Sequence, residues 1–340
     1  MVTMSDIAQA CGVSRSVVSL VLNGREKEVG IAQQTRDRIM AAAEELGYCR
    51  NELARAIVTG RNNVVAVIVS GDPDLQFTQR IISGALDAAS EQNFSVKLFQ
   101  PRPEEMETTL RKLLEQQIAG VLLHDASIRI LEPWLKKLKK LGIPCGVFNL
   151  QNPTGIGFGI YSDDHAGMES AVEYLAGLGH RRIAHLTTKD QPFGYVELRR
   201  SGYLDGMAKY SPEKPRILEG ISWGFDSNLE LLFALLEEPA ETRPTAVACS
   251  TDFLAAELYH AAYLRKRFIP EEFSVVGYGG LRIGTYLPVP LTTVAQPFWE
   301  MGNRAMETLL NTIQKNEPSD GSNILLETEI IVNQSCRELS

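Results

Sequence analysis

Apolar residues near the start of the chain recur at helical spacing. Ile7, Ala8 and Cys11 share one helical face, and Thr3 with Asp6 three residues later makes a capping pair. This spacing predicts a first helix over about residues 4–11.

Two further helices follow at short intervals. Gly12 ends the first helix and Ser14 is suited to cap the next, whose buried stripe consists of Val17, Val18, Val21 and Leu22. A third helix is predicted from about Gln33 to Leu46. One of its faces closes a small core with Ile39, Ala42, Ala43 and Leu46.

Short polar side chains and one arginine stand outside the apolar stripe of the second helix. Arginine can bond guanine bidentately, and serine can bond base edges or phosphate, so this pattern favours a helix that reads a DNA major groove. A small helical hairpin with a solvated face fits the spacing too. The DNA-binding candidates in this region are Ser5, Ser14, Arg15, Ser16, Ser19, Asn23 and Arg25. For Arg25, as for Lys27 nearby, a phosphate contact and an ordinary surface charge are equally good interpretations.

The segment 48–60 has the composition of a linker. Asn51 can cap a short helix that carries Leu53, Ala54 and Ile57. A helix this brief is marginal alone, so we expect it to form only when something packs on it.

From Asn62 onward, buried strands alternate with helices. Strands are predicted at 64–70, 95–100, 119–125, 143–149, 182–187, 246–251 and 274–278, and helices at 81–92, 106–117, 133–142, 165–178, 197–209, 228–238 and 253–267. The order predicts an α/β fold with parallel sheets in two similar halves. Ligands of such folds bind at the carboxyl ends of the strands, so a cleft between the halves is the expected site.

Composition and charge narrow the class of protein. The 340 residues are 44% hydrophobic and 22% charged, as in ordinary globular proteins. The net charge of −8 is unevenly placed, because residues 1–61 carry eight basic and seven acidic side chains and the remainder carries −9. An acidic body would orient the slightly basic head toward DNA. Five scattered cysteines and the lack of an apolar leader or spanning segment indicate a reducing cytoplasm and no membrane.

No enzyme motif stands out in the chain. The five histidines lack paired metal-site spacing, and neither a GxSxG elbow nor a Walker-type loop is present. GIGFG at 155–159 lacks the spacing of a phosphate-binding loop, and His180 fits a structural turn. We therefore expect no catalytic residue, no metal and no cofactor.

Segments from end to end resemble the lac repressor family of bacterial transcription regulators. DIAQACGVS, VVSLVLNG and TRDRIMAAAEELGY look like its helix-turn-helix head. GHRRIAHLT, Arg199 three residues before Gly202, STDFLA, and the stretch from IPEEFSVVGYGG to PLTTVAQP match its core in the same order. The resemblance implies a helix-turn-helix domain at 1–47, a hinge helix or linker at 48–61, and a two-lobed, periplasmic-binding-protein-like core of parallel sheets flanked by helices at 62–340. Lobe 1 would take about 62–160 and 296–324, and lobe 2 about 161–295 and 325–340.

In this family the hinge folds on DNA and wedges an apolar side chain into the minor groove. The matching wedge is Ile57, where leucine is usual, and Arg50 replaces the usual proline before Asn51. The resemblance adds Arg50, Asn51, Leu53, Ala54 and Ile57 to the DNA-binding candidates.

The family's effector contacts carry over only in part. Arg199 and Gln296 match, but Asn149 and Thr251 replace an aspartate and an asparagine, leaving Asp252, and Gly279 and Gly280 replace two aspartates of the GYDD turn. A cleft that keeps its arginine and loses carboxylates makes a phosphorylated or uronic sugar more plausible than a simple hexose, as well as a lost or remodelled effector response. Further candidates at the pocket edge are Phe77, Tyr195, Trp223 and Asp125, with ordinary packing as the alternative.

The resemblance therefore implies a homodimeric transcription regulator of the repressor type that binds a pseudo-palindromic operator and a sugar or sugar-derived effector. The alternative is a soluble sugar receptor without gene control.

Overall fold

The computed structural model describes residues 2–48, 62–69, 76–124, 127–189, 194–221, 228–315 and 320–339. It divides into two compact units, Met1–Asn62 and Asn63–Ser340. The first is called the head and the second the core, and each is described by itself.

Over residues 2–48 the head has three α-helices, α1 (Met4–Cys11), α2 (Arg15–Leu22) and α3 (Gln33–Glu45), with a short 3-10 helix at Glu26–Val29. The capping pair of α1 is confirmed, because Thr3 donates to the Asp6 carboxylate from its backbone nitrogen at 2.8 Å and from its hydroxyl at 2.9 Å. Gly12 ends α1 with a φ of 63°, in the left-handed region that favours glycine. Ile7, Val18, Val21 and Ile39 meet in the head's small apolar core.

The described residues of the core form two six-stranded sheets. Their strands occur along the chain as β1 (Val64–Val69), β2 (Ser95–Phe99), β3 (Gly120–His124), β4 (Cys145–Phe148), β5 (Gly157–Ser162), β6 (Ile183–Thr188), β7 (Arg216–Gly220), β8 (Ala246–Cys249), β9 (Ser274–Gly279), β10 (Thr292–Ala295), β11 (Asp320–Leu326) and β12 (Glu329–Ile331). The first sheet has the order β11-β5-β4-β3-β1-β2, and the second β12-β10-β9-β8-β6-β7. All pairs are parallel except β10 with β12. Each sheet with its helices is called a lobe.

Helices cover both faces of each sheet. In the first lobe they are α4 (Gln76–Glu91), α5 (Met106–Glu115), α6 (Ile128–Lys140) and α11 (Phe298–Lys315); in the second they are α7 (Asp164–Gly177), α8 (Gly194–Tyr210), α9 (Leu229–Leu236) and α10 (Asp252–Leu264). One apolar cluster fills the space on each face of each sheet. The expected fold class, α/β with parallel sheets flanked by helices, is confirmed.

Five strands were not predicted from the sequence, namely β5, β7, β10, β11 and β12, and neither was helix α11. The GIGFG segment, treated as a loop, contributes its last three residues to β5, which lies inside the first sheet. The edge strand β7 begins at Arg216 and has an alternating, partly exposed pattern, so it lacks the apolar run that marks the central strands.

The chain passes between the lobes three times. It crosses from β5 to α7, from β10 to α11, and from β11 to β12. Side chains near these crossovers can therefore touch both lobes. In the part of the chain that the structure describes, no helix is long and apolar enough to span a membrane.

Candidate functional site

The amino-terminal end of α2 presents polar side chains to solvent. Ser14 caps the helix, with its hydroxyl accepting from the Val17 nitrogen at 3.3 Å, and the side chains of Arg15 and Ser16 are exposed. Val18 and Val21 anchor the opposite face. The apolar face of α2 is thus packed in the core of the head, while its first turn is exposed to solvent.

Other DNA-binding candidates of the head form hydrogen bonds with neighbouring residues of the chain. The Asn23 amide donates to the Ser19 carbonyl at 2.6 Å and to the Ser19 hydroxyl at 3.2 Å. Arg25, considered in the sequence as a free surface cation, donates to the Glu28 carboxylate from Nη2 at 2.7 Å and from Nε at 2.9 Å. This pair is exposed and therefore weak, but it offsets the charge that Arg25 would offer a phosphate. Ser5 is exposed on α1.

Some predicted site residues lie outside the described residues. These are Arg50, Asn51, Leu53, Ala54 and Ile57 of the linker, and Asp125 and Trp223 among the effector candidates.

A cavity in the core collects most of the remaining candidates. Its empty space is about 370 Å³ when the part that is open solvent is included. Its lining includes seven residues singled out from the sequence, namely Phe77, Asn149, Tyr195, Arg199, Thr251, Gly279 and Gln296. Residues from both lobes contribute, so the cavity is the expected cleft.

Arg199 is the most connected polar residue of the cleft. Its Nε donates to Asp164 Oδ1 at 2.8 Å, and Nη2 lies 2.7 Å from the same oxygen. Nη1 donates to the Ser250 carbonyl at 2.6 Å, and the guanidinium carbon lies 3.9 Å from the centre of the Tyr278 ring. Burial raises the pKa of Asp164, and Arg199 offsets part of that rise. Asp164 is thus the carboxylate partner of Arg199.

Gln296 extends this network across the lobes. Its Oε1 accepts from Arg199 Nη2 at 2.9 Å, and its Nε2 donates to the Ser162 hydroxyl at 2.6 Å. Ser162 ends β5 in the first lobe, whereas Arg199 belongs to α8 in the second. Gln296 therefore joins the lobes at a crossover.

The sequence-based argument for an anionic ligand counted the carboxylates that the cleft loses and did not consider Asp164. This residue, 35 positions before Arg199 in the chain, accepts a hydrogen bond from it. Asp164 was missed because nothing in its local sequence distinguishes it from a helix-capping carboxylate; it follows Asp163, which caps α7.

Asp252 has a structural position rather than a place in the cavity lining. It is fully buried, and its carboxylate accepts from the Leu281 nitrogen and the Thr293 hydroxyl, both at 2.6 Å. Burial raises its pKa to about 6, against the lowering effect of these hydrogen bonds. Asp252 thereby holds the turn after β9, which contains Gly279 and Gly280, instead of facing a ligand.

The two remaining polar candidates, Thr251 and Asn149, differ in the hydrogen bonds of their side chains. Thr251 caps α10, with its hydroxyl oxygen accepting from the Leu254 nitrogen at 3.1 Å. Asn149 follows β4 with a φ of 59°, and its side-chain amide has no hydrogen-bond partner among the described residues.

Apolar lining residues were the main omission from the sequence-based site. Phe253, Tyr278, Leu281 and Phe298 complete the cavity wall. Phe298 is 5.6 Å from Phe77, ring centre to ring centre. Phe253 and Tyr278 lie inside segments matched to the family, and Leu281 and Phe298 follow directly on such segments. Their proximity in the chain to the matched polar residues was the available signal.

A helix-turn-helix head joined to a two-lobed core with a cleft defines a class of transcription regulators. Residues 3–51 match the family described as bacterial regulatory proteins, lacI family, and residues 172–336 match the periplasmic binding protein-like domain. The head thus matches the lacI family and the core matches a periplasmic binding protein-like domain, and the curated relatives are transcriptional repressors, which confirms the expectation of a DNA-binding regulator rather than an enzyme.

Relatives align along almost the whole chain. Catabolite control protein A of Priestia megaterium is 27% identical over 99% of both chains, and the HTH-type transcriptional repressor PurR of Vibrio campbellii is 28% identical over 100% of both. The fold is similar to that of the lac repressor dimer bound to operator and the anti-inducer ONPF, with a TM-score of 0.82, 24% identity and 99% of both chains covered.

Proposed function

We propose that the chain is a cytoplasmic transcriptional repressor that binds a pseudo-palindromic DNA operator as a homodimer and is controlled by a sugar or sugar derivative in the cleft. The observation that carries this proposal is the exposed first turn of α2, where Arg15 and Ser16 project from a helix anchored by Val18 and Val21. A major groove accepts a helix in this way.

Within the head, Arg15 is the strongest candidate for reading a base. Its guanidinium can bond the O6 and N7 atoms of guanine, and the hydroxyl of Ser16 can bond a neighbouring base or phosphate. Ser14, Ser19, Asn23 and Ser5 support this surface as candidate contacts. The linker residues Arg50 to Ile57 extend it in the proposal, on the strength of the family resemblance.

Two-fold symmetry follows from the single reading helix of each chain. One α2 covers only a few base pairs, so adequate specificity needs two heads on two half-sites. The lac repressor structure similar to this chain is a dimer bound to operator. A homodimer on a pseudo-palindrome is the arrangement that these points support.

The cleft is suited to control by a small molecule. Its lining comes from both lobes, and Gln296 bonds Ser162 in one lobe and Arg199 in the other. A ligand that favours one arrangement of the lobes over another would shift the DNA-binding equilibrium by its differential affinity.

The test is selection of operator sites from random duplex DNA by the full chain, followed by titration of variants on the selected duplex. Arg15→Ala is expected to weaken binding by about tenfold or more, and to relax the preference at one base pair in each half-site. Arg38→Ala on α3 removes an equally exposed charge from the same head and serves as the matched control.

Selection of sites without two-fold symmetry would contradict the homodimer. An equal effect of Arg15→Ala and Arg38→Ala would contradict the assignment of α2 as the reading helix.

A further inference from the structure

The positive charge of Arg199 is already paired with a carboxylate of the protein, that of Asp164. Of the five N–H groups of its guanidinium, those at Nε and Nη2 bond Asp164 and Gln296, and Nη1 donates to the Ser250 carbonyl. Arg199 and Asp164 are 5% and 7% exposed. A phosphate or carboxylate that bonded Nε or the neighbouring N–H of Nη2 would have to displace Asp164 and leave that carboxylate buried without a counter-charge.

Gln296 is committed in the same way. Its carbonyl oxygen accepts from Arg199 and its amide nitrogen donates to Ser162. It is 4% exposed, so its two polar ends serve the network and not an incoming hydroxyl.

An apolar side chain occupies the wall beside the glycine turn. The φ angles of Gly279 and Gly280 are 126° and 65°, and the next residue, Leu281, is fixed by its nitrogen on Asp252. Leu281 is buried in the apolar cluster of the first lobe, together with Val69 and Phe298. The turn therefore presents a hydrocarbon surface where a carboxylate would accept hydroxyl hydrogen bonds.

The rest of the described lining is rich in aromatic rings, with few polar groups available. Phe77, Phe253 and Phe298 provide flat apolar surfaces. Tyr195 and Tyr278 also line the cavity, and the Tyr278 hydroxyl donates to the Asp163 and Asp164 carbonyls. Outside the Arg199 network, the non-aromatic polar side chains of the described lining are Asn149, which offers an amide, and Thr251, which offers a hydroxyl proton. These two groups can serve one polar edge of a ring, while the opposite face lies on hydrocarbon.

From this distribution we infer that the effector is an uncharged ring compound of the deoxy-sugar type, with an apolar face, and that phosphorylated and uronic sugars are rejected. The inference rests on the proposed function, which places the effector in this cleft, and it names the chemical class of that effector.

A matched series of ligands tests the inference on the full chain. Glucose, 6-deoxyglucose, glucose 6-phosphate and glucuronate differ in one substituent, and the same four in the galacto and manno series vary the ring hydroxyls. In calorimetric titrations the deoxy member of the preferred series is expected to bind about tenfold tighter than the parent hexose, because a hydroxyl without a partner is not buried. The two charged members are expected to give no measurable heat.

Two variants separate the roles of the polar groups. Asn149→Ala is expected to weaken binding of the deoxy sugar by about tenfold, whereas Asn311→Ala, on the exposed surface of α11 roughly 20 Å along that helix from Phe298, leaves it unchanged. Asp164→Asn removes the internal counter-charge of Arg199. It is expected to make the glucuronate and the sugar phosphate detectable ligands.

Tighter binding of a charged member by the unaltered chain overturns the inference, as does the absence of binding by every member of the three series. Neither result affects operator binding, which is measured separately with DNA. Failure of the ligand class and failure of the proposed regulator are therefore distinguishable, and the panel on the unaltered chain decides even if Asp164→Asn does not fold.

Discussion

Asp164 holds Arg199 through a single carboxylate oxygen, which lies 2.8 Å from Nε and 2.7 Å from Nη2. Both residues are almost completely buried, so water screens neither charge. The pair ties the start of α7 to α8 beneath the cleft. Its energetic importance lies in the cost of leaving either partner alone.

Arg199→Met is therefore expected to lower the free energy of unfolding of the core by about 3–5 kcal/mol, since Asp164 stays buried without its cation. Urea unfolding followed by circular dichroism measures this. The double variant Arg199→Met with Asp164→Leu removes both charges and is expected to recover most of the loss. A double variant no more stable than the single one would show that the pair itself, and not an orphaned carboxylate, supplies the stability.

Asp252 gives the core a defined pH dependence. Its pKa is about 6 in the folded chain, against an ordinary value of 3.8, so between these values the folded chain holds a proton that the unfolded chain has lost. The Asp252 contribution to the free energy of unfolding is thus fully present below pH 3.8 and falls as pH rises through about 6, by ~3 kcal/mol in all.

Asp252→Asn lacks this titration. The difference in unfolding free energy between the unaltered chain and Asp252→Asn is expected to change by about 2 kcal/mol from pH 4 to pH 7, in the direction that disfavours the unaltered chain at the higher pH. Urea titrations at several pH values provide the measurement. A constant difference across that range is incompatible with the assigned pKa.

Two serines of the head are expected to separate stability from DNA contact. Ser14→Ala removes the cap of α2 and should destabilise that helix by about 1 kcal/mol. Ser16 lies two residues later and is exposed, so Ser16→Ala should leave the free energy of unfolding within a few tenths of a kcal/mol while weakening operator binding. Amide hydrogen exchange of residues 15–22 reports the first effect and DNA titration the second. Equal exchange rates in the two variants would contradict the assignment of Ser14 as the cap of α2.

The glycine turn of the cleft has a matched control elsewhere in the core. A Cβ atom at Gly280 would lie 2.7 Å from the Ala295 Cβ, whereas Gly142, with a nearly equal φ of 68°, has open space around that position. Gly142→Ala is expected to cost about 1 kcal/mol through backbone strain alone. Gly280→Ala should cost about 1–3 kcal/mol more, since β10 must move. Thermal unfolding of both variants measures the two losses of stability. Equal losses would contradict a close contact between residue 280 and Ala295.

Local patterns made much of the fold predictable. The helices of the head follow from apolar spacing and from caps within three or four residues, such as Thr3 with Asp6. The central strands are buried on both faces and therefore read as apolar runs. Edge strand β7 and the glycine-rich β5 do not, because one is partly exposed and the other packs closely against neighbours where side chains would not fit.

The cleft was predictable in its location but not in its electrostatics. Arg199 and Gln296 were found by family resemblance, yet their partners Asp164 and Ser162 are brought to them only by the crossovers between lobes. Asp252 shows the same limit. Its residue type was matched correctly, but its carboxylate accepts a hydrogen bond from the Leu281 nitrogen, directly after Gly279 and Gly280.

The position of Gln296 has a mechanical consequence. Ser162, Asp164 and Gln296 all lie where the chain passes from one lobe to the other. The hydrogen-bond network therefore sits at the fulcrum of any lobe rotation and not at the rim of the cleft. Small shifts at such positions can be amplified into rotations of whole domains, so a ligand bound in the cleft would act on surfaces far from it.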